Sequence, residues 1–243
     1  MGELQQELVK MVEKVPAFPR SVRRVLQLTA DLNYSHKELL RIIEHDPVMT
    51  LKILKLVNSV YFGVSGRVAS VHQAAVSLGM NTVKNLALSV AARGMLPQVD
   101  HGGLQSGPFL LHSVGVGSVA RLLGQKVFVS EVVLTECFVA GLLHDFGKVL
   151  LSQFVPGEFQ KALADARIEG CSLHHAEKKW IGVDHTEVVA LLGEKWHLPP
   201  GLVLAMRHHH SPESDAPDSI VLHCVRTANQ IVKRLQFGDA GSP

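Results

Sequence analysis

Four histidines of this 243-residue chain stand on helical faces that should be buried. His112 shares its face with Val116, Val119 and Leu123, and His185 shares one with Val188, Val189, Leu192 and Trp196. His144 ends an apolar run containing Cys137, Ala140 and Gly141, and His209 lies in line with Leu202 and Met206. One inward histidine is ordinarily a hydrogen-bonded core residue. Several beside a carboxylate fit another chemistry, because neutral imidazoles and a carboxylate converge on divalent iron, manganese, zinc or nickel. His144-Asp145 sets two such ligands side by side at a helix end. Lys148, one turn on, is placed to contact a phosphate near that metal, or else is a solvated helix-end lysine. Histidine is also the compositional outlier: 14 residues, ten of them at or after His112.

The elements that must present these side chains read as helices. Apolar residues recur three and four apart in nearly every segment, and no useful run alternates with period two, which predicts an all-α fold. Ser35-His36-Lys37-Glu38 is a capping box, and Asp46-Pro47 supplies an N-cap and an N1 proline. Helices are expected at 3–14, 19–32, 71–78 and 80–93, then at about 109–124, 130–145, 157–169, 173–181, 185–196, 200–209 and 219–236. Ser130, Ser172, Asp184 and Ser219 are the candidate N-caps of the later set. Asp100, the glycines and the prolines between Pro97 and Pro108 forbid a long helix. The expected organisation is a helical subdomain at 1–97, a linker at 98–107, a helical bundle at 108–237 and a frayed tail at 238–243.

Composition removes several classes of function. With 47% hydrophobic residues, 19% charged and a net charge of +2, the chain is neither disordered nor a strongly electrostatic nucleic-acid binder. Arg20, Arg23, Arg24, Lys52 and Lys55 are spread by helical spacing without interleaved aromatics, so they read as solvated faces. No apolar run approaches the ~18 residues of a membrane span, and Met1 to Lys10 is charged and amphipathic, so no export signal is expected. Cys137, Cys171 and Cys224, an odd set without CxxC spacing, suit reduced thiols in a cytoplasm. Gly115-Val116-Gly117-Ser118-Val119-Ala120 matches a dinucleotide fingerprint only formally, since no strand precedes it; its small residues are expected to admit a neighbouring helix. His208 leans away from His209. His174-His175 reads as part of a surface helix with Trp180 packed underneath, and Asn58-Ser59 as caps of the following turn.

Gly141-Leu142-Leu143-His144-Asp145-Phe146-Gly147-Lys148 resembles the central motif of the HD superfamily of metal-dependent phosphohydrolases. Pro16-Ala17-Phe18-Pro19, Ile42 to Val48, Leu56 to Gly63, Ala74 to Gly79, Trp196 to Pro199 and His209 to Pro212 resemble, in order, the HDOD or HD-related output domain. The resemblance implies metal ligands at His112, His144, Asp145, His185, His209 and His210. It also implies a helical N-terminal subdomain docked on a degenerate HD-type bundle. Where the superfamily has its last metal carboxylate, this chain has Asn229, a neutral and weaker ligand. The glycine-tyrosine-proline motif of the cyclic-dinucleotide phosphodiesterase branch is absent, because His209-His210 runs into Ser211-Pro212-Glu213.

The expectation is therefore a bacterial, cytoplasmic signal-transduction output module. It would bind signalling proteins such as regulators or kinases, or a nucleotide, and neither nucleic acid nor membrane. The runner-up is a metal-dependent phosphohydrolase in which Asp145 and Lys148 do catalytic work. A helical scaffold without metal is the third reading.

Overall fold

A computed structural model describes residues 10, 12–15, 20–29, 31, 33–59, 62, 64, 66–96, 100–212, 215 and 217–241. Pro16 to Pro19, most of the expected 3–14 helix, Tyr61 and Gly63 lie outside the described residues. Among those described the fold is all-α: thirteen helices are delimited and no strand is present. The chain divides into two compact units, Phe18–Met95, and Met1–Ala17 together with Leu96–Pro243.

The unit Phe18–Met95 holds α1 (Arg20–Thr29), α2 (His36–Glu44), α3 (Pro47–Val57), α4 (Val71–Leu78) and α5 (Met80–Met95). Side chains expected to start helices do so: Ser35 accepts from the Glu38 amide, and Asp46 accepts from the Met49 amide with Pro47 at the first turn. Asn58 has a structural role with partners in α3 and at Val68, while the turn it was expected to cap lies largely outside the described residues. Its side chain donates to the Leu54 and Val68 carbonyls and accepts from the Val68 amide, which pins the end of α3 to the segment leading into α4. Leu39, Ile43, Ile53, Val57, Ala74 and Val83 are fully buried and form the core of this unit.

The second unit carries α6 (Ser106–Lys126), α7 (Glu131–Leu143), α8 (Phe146–Phe154), α9 (Pro156–Glu169), α10 (Leu173–Ile181), α11 (His185–Lys195), α12 (Pro200–His208) and α13 (Ile220–Arg234). The formal dinucleotide fingerprint is a helix crossing. A Cβ on Gly141 would stand 2.7 Å from the Gly117 Cα, and one on Gly117 would stand 2.7 Å from the Phe138 carbonyl, so α6 and α7 touch backbone to backbone. This close crossing brings His112 and the end of α7 into one neighbourhood.

Helix α8 does not appear among the expected helices. The run from Phe138 to Leu151 is almost wholly buried on every side, so it lacks the amphipathic period that reveals a surface helix. The break between α7 and α8 falls on Asp145, whose φ of −95° and ψ of 2° turn the chain. One further expectation holds in position only, and another is corrected. Ser172 stands at the N-cap of α10 but makes no capping bond; its hydroxyl pairs with His175 Nδ1 at 2.9 Å. Trp180 is not packed beneath its helix but 40% exposed, with the Lys161 and Lys179 ammonium groups near its ring. The tail is held at least through Ala240, which is buried, and the Asp239 amide donates to the Pro108 carbonyl. Gly238 lies so close to Pro108 and His112 that no side chain fits there.

Candidate metal centre

Four helices of the second unit, with the turns that end α7 and α12, deliver one buried cluster. His112 comes from the middle of α6, His144 and Asp145 from the α7–α8 turn, His185 from the first residue of α11, and His209 and His210 from the turn after α12. Their ligand atoms form two groups that share one carboxylate. His112, His144 and Asp145 have donor atoms within 4.8 Å of one another, and so do Asp145, His185, His209 and His210. The sharing is atom by atom. Asp145 Oδ2 lies 3.2 Å from His144 Nε2 and 3.7 Å from His112 Nε2, while Oδ1 lies 3.1 Å from His185 Nε2 and 3.5 Å from His209 Nε2.

The outer nitrogens are tied to acceptors, which fixes the rings with Nε2 inward. His144 Nδ1 donates to the Gly141 carbonyl at 2.8 Å, His209 Nδ1 to the Met206 carbonyl at 2.8 Å, and His185 Nδ1 to Glu177 Oε2 at 2.5 Å. Glu177 Oε2 also accepts from the His185 amide at 2.9 Å. Such a carboxylate–histidine pair holds a metal-binding imidazole in orientation and raises its basicity. The sequence reading missed Glu177, although its signal was present. It shares the inward face of α10 with Leu173 and Ala176, where an acid is out of place unless partnered.

The residues fit a divalent metal. His112 Nε2, His144 Nε2 and Asp145 Oδ1 are buried without a hydrogen-bond partner, a costly condition that a coordinated cation would relieve. The Nε2 atoms of His185 and His209 face each other at 3.4 Å, a pairing that needs a proton or a cation between them. Electrostatics agree. Burial pushes His112 down to about 3 against the pull of Asp145, and burial likewise takes His209 to about 3, leaving both rings neutral ligands near pH 7. Burial also drives His210 down. Burial would raise Asp145, but the charges of His144 and Lys148 and the close approach of the His144 and His185 rings hold its carboxyl well below the usual range. In His185 burial is outweighed by Glu177 and Asp145, so its proton is held more tightly than usual.

Lys148 is buried and not solvated; its ammonium donates to Asp145 Oδ2 at 2.8 Å and to the Ala240 carbonyl at 3.1 Å. Asn229 sits buried on α13 with its Oδ1 unpartnered. One turn further, Lys233 joins His112 and Arg167 in lining a cavity of about 380 Å³ walled by Gln236 and by Gly238 to Gly241. Burial, then the charge of Lys148, lowers the Lys233 ammonium. His174, read from the sequence as part of a surface helix, is half-buried and stacks on His210 with ring centroids 4.4 Å apart. His208 is partly buried and bonds Ser211.

Residues 15–212 match the model of the HDOD domain. The chain belongs to the HDOD family. The crystal structure of an HDOD domain protein of unknown function from Geobacter sulfurreducens superposes with a TM-score of 0.85 at 24% identity, covering 99% of this chain and 80% of that one. A protein from Shewanella amazonensis SB2B, provisionally named a phosphohydrolase, gives a TM-score of 0.75 at 25% identity over 94% of this chain and 80% of its own. One from Marinobacter aquaeolei VT8, provisionally named a signal transduction protein, gives 0.78 at 22% over 97% and 56%. An uncharacterized protein of Treponema pallidum (strain Nichols) is 22% identical over 241 residues. That match takes in 96% of this chain and 45% of the relative, so the chain spans less than half of that protein's length. Among the described residues no helix is long and apolar enough to cross a membrane.

Proposed function

We propose that this HDOD chain is a cytoplasmic output module of bacterial signal transduction, acting by binding, and that its buried centre holds two divalent transition-metal ions. The observation that carries the metal reading is the division of Asp145 between two histidine groups, one carboxylate oxygen to each. His112, His144 and Asp145 would hold one ion, with Asn229 the candidate for a further oxygen ligand. Asp145, His185, His209 and His210 would hold the other. A metal ion bound in such a site lowers the pKa of a coordinated water and polarises a phosphoester.

The protein's own groups favour regulation over turnover. Lys148, the residue suited to steady a phosphate, is spent on Asp145 and the Ala240 carbonyl, and Gln236 with Gly238 to Gly241 walls the cavity beside His112. Asn229 brings no negative charge where the superfamily uses a carboxylate. The second reading, a phosphohydrolase, is favoured by Lys233 and Arg167 in that cavity, two cations against the single carboxylate of Asp239, since a cationic surplus beside a metal centre suits a phosphoester. Signalling proteins such as regulators or kinases are the proposed partners, with a nucleotide as the alternative ligand.

The test is metal analysis of protein purified without added metal and after reloading with iron, manganese, zinc or nickel, alongside hydrolysis assays on cyclic dinucleotides and simple phosphoesters. The expected result is two ions per chain after loading, loss of both in Asp145→Asn, and no turnover above the His144→Ala background. A chain that takes up no metal leaves the scaffold reading. Robust turnover abolished by His144→Ala promotes the enzyme.

A further inference from the structure

The unit Phe18–Met95 contributes nothing to the metal centre, yet its surface is specialised. It carries ten Lys and Arg residues against four Asp and Glu, whereas the rest of the chain carries 14 against 18. Between α2 and α4 runs an open groove of about 680 Å³. Leu40, Ala75, Val76 and Met80 supply its apolar lining, and Lys37, Arg41, His36 and His72 its basic rim, with Glu44 the one acid at the far end of α2. Val76 is 77% exposed, a β-branched apolar side chain on an open helix face. Lys37 and Arg41 are exposed and have no ion-pair partner among the described residues. They also border a neighbouring cavity of about 470 Å³ together with Arg24, His45 and one acid, Glu38, so the edge past the groove is still predominantly basic.

The shape and the charge select the occupant. The walls are helices, one of them the nine-residue α2, about 13 Å long. The apolar floor is Leu40 from α2 with Ala75 and Val76 from α4 and Met80 from the start of α5, which suits two to three turns of a third helix laid between them. Unpaired cations beside that floor demand carboxylates on the flank of the visitor. A second copy that paired this face with its own counterpart would set one surplus of positive charge against another. A nucleic acid would gain little from an aliphatic floor without aromatics to stack on. A flat anionic membrane does not follow a concave groove that ends in Glu44.

We propose that this groove docks an acidic amphipathic helix of a partner protein, its aliphatic stripe on Leu40, Ala75, Val76 and Met80 and its carboxylates on Lys37 and Arg41. The inference goes beyond the metal centre and stands or falls separately from it. It gives the regulatory module a docking face of stated chemistry.

The experiment uses the full chain and a fluorescein-labelled helical peptide of about four turns, with Leu at i, i+3, i+4 and i+7 and Glu on both flanks. A control peptide has Lys in place of every Glu, and binding is read by fluorescence anisotropy at low and high salt. The Glu peptide should bind, with affinity falling as salt rises, and the Lys peptide should bind at least about tenfold more weakly. Lys37→Glu and Val76→Glu should each weaken the Glu peptide by about tenfold or more. Both positions are exposed, and an acid in the first turn of α2 suits the helix dipole, so folding is preserved and is checked by melting and by unchanged metal uptake. Absence of Glu-peptide binding, equal binding of both peptides, or binding untouched by both variants would each overturn the proposal. So would a groove that instead serves phosphatidylglycerol vesicles or self-association, shown by vesicle flotation or light scattering sensitive to Val76→Glu.

Discussion

The side chain that tunes the proposed metal centre without entering it is Glu177. It accepts from both the amide and Nδ1 of His185, so its loss frees the ring to turn. Glu177→Gln should weaken metal binding by about 10- to 100-fold, measured by competition with a chelator, while Glu177→Asp recovers part of it. A purely structural role for Glu177 would lower the melting temperature of the metal-free protein and leave metal affinity unmoved. Asn229→Asp should act in the opposite direction and tighten binding, on the order of tenfold, by adding a negative charge opposite bound cations. It should also destabilise the metal-free chain, because the new carboxylate would be buried beside Oδ1's empty partner position. Unchanged affinity in Asn229→Asp would make that residue an ordinary buried amide. At this scale much of the centre was legible: the inward positions of His112, His144, His185 and His209 followed from helical period, and burial bears that out. The place of His174 was not, because stacking on His210 depends on how two distant helix ends meet.

Helices place these side chains only because particular glycines let them approach. Gly147, in the first turn of α8, lies against the His185 carbonyl with no room for a methyl group. Gly147→Ala must therefore push the start of α11 away from Asp145, or distort α8. Overpacking of this kind costs about 1–3 kcal/mol, readable by urea unfolding, and here it should cost metal affinity as well. Gly157→Ala on α9 is the matched control. Nothing stands within 4 Å of the added methyl group, so stability should hold or rise slightly and metal uptake should not change. The contrast separates a required close approach from mere helix propensity. Caps made most helix starts legible, since Ser35, Asp46, Ser130, Asp184 and Ser219 all accept from amides in the first turn. The one undetected helix, α8, has Phe146 to Ser152 buried throughout, and a segment enclosed on all sides shows no polar face to read.

Across the molecule, the histidines of the centre make stability a function of pH, and the sign follows from their directions. His112 and His209 hold their protons with values of about 3 against an ordinary 6.5, so the folded state carries fewer protons than the unfolded chain between those limits. Their contribution is complete above pH 6.5 and is lost as pH falls toward 3. His210 is displaced in the same direction. His185, raised, works oppositely: what it adds is full below pH 6.5 and fades as pH climbs through its folded value. Asp145, depressed, withdraws its support only as pH drops below the ordinary carboxylate range. Three rings against one make the metal-free protein less stable at pH 5 than at pH 7.5. Calorimetry should show its transition moving down by a few degrees, with the unit from Leu96 onward carrying the change because all these groups lie there. Bound metal should raise the transition at pH 7.5 and lose that effect steeply toward pH 5, as protons compete for the same nitrogens. His112→Gln should flatten the metal-free profile, since an amide does not titrate. A metal-free transition that rises on acidification would mean that the Glu177–His185–Asp145 proton dominates the centre, and that the protein is built to hold a proton there rather than to wait for a cation.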